Sequence, residues 1–149
     1  MAETEITFKS GEERLAGALM TPAGPGPYPA ALLLAGSGPL DRDGNHKRMP
    51  LNVSRDLAVL LAEAGWASLR YDKRGVGESD GDYHAAGLYD NITDARAALD
   101  ALCARPEIDA DQVFVIGHSE GALIASELAT DAGLAGAVLL AGPARNGKE

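Results

Sequence analysis

Apolar and polar residues alternate with a period of two near the start of the chain, through EITFKS and LAGALMT on either side of a GEER turn. Successive side chains of a strand face opposite sides, so this is the pattern of a half-exposed antiparallel hairpin. After a short Pro/Gly-rich connection, TPAGPGPYPA at 21–30, the pattern changes. AALLLAG at 30–36 is an unbroken apolar run, as a strand requires when both its faces are buried in a parallel sheet. Val53, Leu57, Leu60, Leu61 and Ala64 then recur at helical spacing, and Gly65 follows where a helix end favours positive φ. WASLRYD (66–72) reads as the next strand. Leu88, Ile92, Ala95, Leu99 and Leu102 form a second helical stripe, ended by Pro106, and QVFVIG (112–117) is a further buried strand. An Ala-rich helix is predicted from Glu120 to about Ala132, followed by a last buried strand, GAVLLAG (136–142). Strand and helix alternate throughout. The predicted class is α/β: a mostly parallel sheet of about six strands with helices on both faces, right-handed crossovers and an N-terminal antiparallel hairpin.

No repeat or long linker interrupts the pattern, so residues 1–149 read as a single domain. With 46% hydrophobic and 23% charged residues the composition is that of an ordinary globular protein. A net charge of −9 without any Lys/Arg stripe offers nothing to a phosphate backbone or an anionic bilayer, so neither nucleic acid nor membrane is an expected partner. The apolar stretches fall short of the roughly 20 residues that a membrane span needs. MAETEITFKSGEERL has no basic n-region or apolar h-region, and a soluble, cytoplasmic protein is expected. The single cysteine, Cys103, has no disulfide partner and no neighbouring metal-ligand pattern, and reads as a small filler in a helix.

Ligands of such sheets bind beyond the carboxyl ends of the strands, so the loops there carry the candidate chemistry. After QVFVIG comes Gly117-His118-Ser119-Glu120-Gly121, a G-x-S-x-G between a strand and a helix. Glycines two before and two after the serine let strand and helix approach without a Cβ clash, and the strained turn exposes the serine Oγ at a helix N-terminus. There the Glu120 N–H points at any oxyanion that forms. After AALLLA comes Gly36-Ser37-Gly38-Pro39-Leu40-Asp41-Arg42-Asp43-Gly44-Asn45, where flanking glycines leave the Ser37 N–H approachable as a second donor. Asp41, Arg42 and Asp43 read as a local ion-pair network fixing that loop. Gly75-Val76-Gly77 follows another strand, yet the third position of a dinucleotide fingerprint is Asp80, which with Asp82 would repel a pyrophosphate. No Walker A sequence occurs, and the turn reads as backbone shaping beneath the site.

AGSGPLDRDGN, YDKRGVGESDGDY, VFVIGHSEGALIA and AVLLAGPAR together resemble four successive blocks of the α/β-hydrolase superfamily, in its esterase, acyl-peptidase and dienelactone-hydrolase-like branch. The resemblance covers nearly the whole chain and corresponds to the N-terminal portion of that fold, the last two strands not being represented. It implies that Ser119 is the nucleophile, that the backbone N–H groups of Ser37 and Glu120 form the oxyanion hole, and that no metal or organic cofactor is used. It also implies a small acyl ester as substrate. Family order is Ser, then Asp/Glu, then His, but no histidine follows Ser119, and the later acids Glu127, Asp131 and Glu149 do not stand where that order puts one. His118 is expected to pack away from Ser119, and His46 and His84 to be solvated loop residues. Strand 136–142 is expected to be an apolar edge open to self-association or to a chain carrying the C-terminal half. The alternative reading is a non-catalytic fragment, or a small module binding a carboxylate or acyl ligand at the same amides.

Overall fold

The computed structural model describes residues 1–130 and 133–144. These form one sheet of six strands, β1 (Ala2–Ser10), β2 (Glu13–Thr21), β3 (Tyr28–Leu34), β4 (Ala67–Tyr71), β5 (Ile108–His118) and β6 (Gly136–Leu140). Three helices accompany it, α1 (Val53–Glu63), α2 (Leu88–Cys103) and α3 (Glu120–Leu128). The strand order is β1-β2-β4-β3-β5-β6. β1, β2 and β4 pair antiparallel, whereas β4, β3, β5 and β6 run parallel.

The unbroken apolar run of β3 is explained by its two faces. Ala30, Leu32 and Leu34 pack with α2 and α3 through Ala95, Ala98, Leu102, Ile124 and Leu128. Ala31 and Leu33 pack on the other face against Ala58 and Ala62 of α1. Leu32, Leu69, Leu102 and Leu128 are all fully buried, and each such leucine contributes about 2 kcal/mol of transfer free energy. Cys103 lies at the rim of the larger cluster, half-buried, with its thiol pushed up by burial and by Asp100.

The stripe read along α1 is displaced by a position. Val53 and Leu60 are 54% and 62% exposed, and the helix meets the sheet through Ala58 and Ala62 instead. Two alanines let the backbone approach closely, and the leucines flank that seam. Leu88, read as the first core position of α2, is also exposed. β1 begins three residues earlier than its alternation suggested, because Ala2, Glu3 and Thr4 pair with Thr21, Met20 and Leu19 while remaining solvated. β5 likewise starts at Ile108, paired with Tyr28, before an irregularity brings Val113 opposite Ala30. α3 stops at Leu128, short of the predicted Ala132, which lies outside the described residues. Among the described residues no helix is long and apolar enough to cross a membrane.

Candidate active site

Only Ser119 separates β5 from α3, and it takes φ 55° and ψ −118°, a conformation that L residues avoid. The two glycines of the motif make this turn sterically possible. A Cβ on Gly117 would lie 2.1 Å from the Gly121 carbonyl oxygen, and one on Gly121 would lie 2.2 Å from that of Leu34. The elbow is thus pressed against the end of β3. The Ser119 N–H donates to Leu140 O of β6 at 2.9 Å, and the Ser119 carbonyl accepts from Ala122 N at 3.0 Å. No side-chain bond caps the helix, so the hydroxyl is left uncommitted to that end. Glu120 occupies the first helical position, where an N–H has no carbonyl four residues back to meet and the helix dipole is positive.

β3 and β5 are neighbours from which the chain departs in opposite directions, to β4 on one side and to β6 on the other. That reversal is the switch point at which open α/β sheets bind ligands. The loop after β3 therefore stands beside the elbow. A Cβ on buried Gly36 would lie 3.4 Å from Ser119 Cβ and 3.4 Å from His118 Nδ1. Ser37 is exposed next to it, and Gly38 has φ 102°. Among the described residues the Ser37 N–H finds no acceptor.

The loop is held from its far side by Lys73, a residue the sequence did not mark. Its ammonium, half-buried after β4, donates to the carbonyl oxygen of Gly36 and to that of Gly38 at 2.9 Å. Its backbone N–H reaches Leu40 O at 3.4 Å. Burial pulls the Lys73 ammonium below its ordinary value, opposed by the Glu120 carboxylate.

Arg42 and Asp43 do form ion pairs, but not a local network. Arg42 reaches Asp72 at 2.8 Å, Glu78 at 2.5 Å, and Glu5 of β1. Asp43 and Glu3 hold the buried Arg70 of β4 at 2.9 and 2.7 Å. Asp41 instead shapes the loop, accepting from the backbone N–H groups of Asp43 and Asn45. Burial pushes the Asp72 carboxyl up, but the Arg42 guanidinium and the N–H groups of Glu78 and Arg42 outweigh it and hold the group below its ordinary range. The Gly75-Val76-Gly77 turn is shaped by contact: a Cβ at Gly77 would meet Asp72 Oδ2 at 2.6 Å, and one at Gly75 would meet Tyr83 N at 2.2 Å.

Two clefts open at Ser119. One, of about 430 Å³, is apolar and includes Leu40, Met49, Leu51, Val53, Leu57 and Ile116. The other, of about 460 Å³, is shallower and includes Leu88, Glu120 and Leu123. Exposed Val53 of α1 and Leu88 of α2 are therefore cleft walls rather than failed core positions, whereas Leu60 lines neither cleft. His46 lines the first cleft together with Ser119 and His118, whereas His84 lies on a different cleft beyond His46. His118 is exposed rather than packed inside. Asp131 and Glu149 lie outside the described residues.

Residues 51–149 match the protein family described as "Serine aminopeptidase, S33". Esterase EstD of Thermotoga maritima is 37% identical over 143 residues, which are 96% of this chain and 33% of that protein. The chain spans about a third of the length of the curated relatives it matches. Among solved structures, a dienelactone hydrolase-like promiscuous phosphotriesterase from metagenomic libraries superposes with a TM-score of 0.75 at 26% identity, covering 95% of this chain and 59% of that one. The α/β hydrolase GrgF from Penicillium sp. sh18 superposes with a TM-score of 0.76 at 22% identity, over 92% of this chain and 45% of that one, a likeness of fold.

Proposed function

This chain belongs to the α/β hydrolases, in the family described as serine aminopeptidase S33, and from that premise we propose that Ser119 is the nucleophile of an acyl-ester hydrolase. The observation that carries the reading is the elbow itself. A serine at φ 55° between β5 and α3, with its hydroxyl uncommitted to the helix cap, is a costly conformation that packing alone has no need of. In this reading Ser119 Oγ bonds to the acyl carbon as its proton passes to a base, and the carbonyl π pair moves onto oxygen. The N–H groups of Ser37 and Glu120 receive that oxyanion. Collapse expels the alcohol, and water then releases the acid from the acyl-serine. The esterase named among the relatives and the apolar cleft beside Ser119 support a carboxylic ester as substrate. In this reading the residues of this chain supply the nucleophile and the oxyanion donors, and a base must take the Ser119 proton for the attack to proceed.

The test is covalent labelling by a small alkyl fluorophosphonate, with concentrated imidazole in solution standing in for the base. Intact mass and peptide mapping should show one phosphonyl group, on the Ser119 peptide, and none on Ser119→Ala. A label spread over the exposed serines, or one that persists in Ser119→Ala, would remove the basis for the proposal.

A further inference from the structure

We infer that Lys73 is a positioning residue of this site, which fixes the direction of the Ser37 N–H by holding the carbonyl on the other end of the same peptide unit. The inference rests on the proposed hydrolase reading and adds a residue to it.

In a trans peptide the C=O of one residue and the N–H of the next point in opposite directions, and the only cis bond among the described residues is Gly26-Pro27. The Gly36 carbonyl and the Ser37 N–H therefore share one plane and oppose one another. Sheet order decides where each points. β3 lies between β4, which delivers Lys73, and β5, which delivers Ser119. The Gly36 carbonyl is bound by the ammonium of Lys73, whose backbone leaves β4. Its partner N–H is thereby turned away from β4, to the side on which the elbow stands. Gly36 lies next to Ser119, where the position of an added Cβ is 3.4 Å from Ser119 Cβ.

A loop of Gly-Ser-Gly has little conformational preference of its own, since glycine occupies either sign of φ at small cost. Left alone, the 36–37 peptide can flip and offer its carbonyl, a repulsive acceptor, where the oxyanion forms. Lys73 removes that freedom at three points: the Gly36 and Gly38 carbonyls bind its ammonium, and the Leu40 carbonyl binds its backbone N–H. An ammonium suits the task because it has three donors and no acceptor, and here two carbonyls on either side of Ser37 need one donor each. Its partial burial strengthens both bonds, since charge-assisted bonds gain from reduced competition by water. Lys73 need not touch the substrate to act in this way.

The experiment measures phosphonylation of Ser119 by the same fluorophosphonate over a range of probe concentrations. In Lys73→Met the maximal labelling rate should fall about 10–100-fold, the scale of a misplaced oxyanion donor. The half-saturating probe concentration and the melting temperature should change little, and Lys73→Arg should recover part of the rate. A residue that merely braces the fold would instead lower the melting temperature and leave the maximal rate of the folded fraction unaltered. If Lys73→Met does not fold, the wild-type chain decides. Its Ser37 amide proton should move downfield by NMR when Ser119 is phosphonylated, as that N–H takes up the phosphonyl oxygen. Normal labelling of Lys73→Met, or a Ser37 amide unmoved in the labelled wild type, overturns the role of Lys73 while leaving the nucleophile intact. Absence of Ser119 labelling in the wild type overturns the hydrolase reading itself.

Discussion

The turns that follow β4 and β5 flank the same strand end and differ in what is added to their glycine contacts. The turn after β4 adds side-chain bonds. Asp72 accepts from Arg42 N at 2.7 Å, Arg42 Nη2 at 2.8 Å and Glu78 N at 3.0 Å. Ser79 bridges the strands, donating to Asp72 O at 2.7 Å and accepting from Ala16 N at 3.0 Å. The elbow after β5 has no such partners: its shape follows from Gly117 and Gly121 pressed against backbone, with Ser119 strained between them. In the proposed reading the elbow keeps the Ser119 hydroxyl and the Glu120 N–H uncommitted, and steric exclusion shapes it. A turn that only supports can spend its polar groups on itself. Both turns exclude a methyl group, the elbow at Gly117 and Gly121 and the supporting turn at Gly75, but the supporting turn is in addition sensitive to charge.

The largest effect follows from that intolerance. Gly121→Ala places Cβ 2.2 Å and 2.6 Å from two carbonyl oxygens of the β3 end, both backbone atoms that cannot swing aside. It should cost about 4 kcal/mol or more, at the upper end of single-substitution effects. Gly11→Ala is the control, since nothing lies within 4 Å of its added Cβ and only its φ of 59° is unfavourable; it should cost about 1 kcal/mol. Urea denaturation of the two variants compares them directly, and equal costs would mean that conformation rather than contact dictates the elbow glycines.

The charge-built turn should give a smaller loss with a pH signature. Asp72→Ala leaves Arg42, with its side chain only 11% exposed, facing two carboxylates that are largely in solvent; we expect a loss of about 3 kcal/mol at neutral pH. The native carboxyl titrates below its ordinary value of 3.8, so the unfolded chain binds the proton first on acidification. Its stabilisation is complete above the ordinary carboxylate range and is lost as pH falls below about 4 toward the depressed native value. Melting curves of the wild type should thus fall more steeply with acid than those of Asp72→Ala. Parallel curves would assign acid sensitivity to other carboxylates.

The same contrast explains what the sequence disclosed. The elbow was legible because its determinants are contiguous: two glycines and a serine at fixed spacing between an apolar strand and a helix. The hairpin was legible from a period of two, the buried parallel strands from unbroken apolar runs and the helices from a period of 3.6, apart from ends such as Ala2–Thr4, whose pairing is by backbone while their side chains stay solvated. Asp41, Arg42 and Asp43 were read as a local network because nothing in that segment names Glu5, Asp72 or Arg70, which the strand order brings to it. Lys73 was missed for the same reason. Its acceptors are backbone carbonyls 35 and 37 residues away, and a carbonyl has no sequence signature. Leu88 and Val53 fitted helical stripes, but the same spacing serves a core and the wall of a cleft.

The smallest effect is a gain, and it isolates the strain from the chemistry. Ser119 holds φ 55° and ψ −118°, which glycine adopts freely and other residues adopt only under constraint. Ser119→Gly should therefore raise stability by about 1 kcal/mol, although it deletes side-chain atoms and loosens the unfolded chain. Ser119→Ala removes the same hydroxyl and keeps the Cβ, so its stability should stay within about 0.5 kcal/mol of the wild type. Both variants lack the proposed nucleophile and should resist phosphonylation alike. Chemical denaturation of the pair then reports the strain alone. If the two are equally stable, the turn is not strained in solution, and the elbow owes its shape wholly to the packing of Gly117 and Gly121.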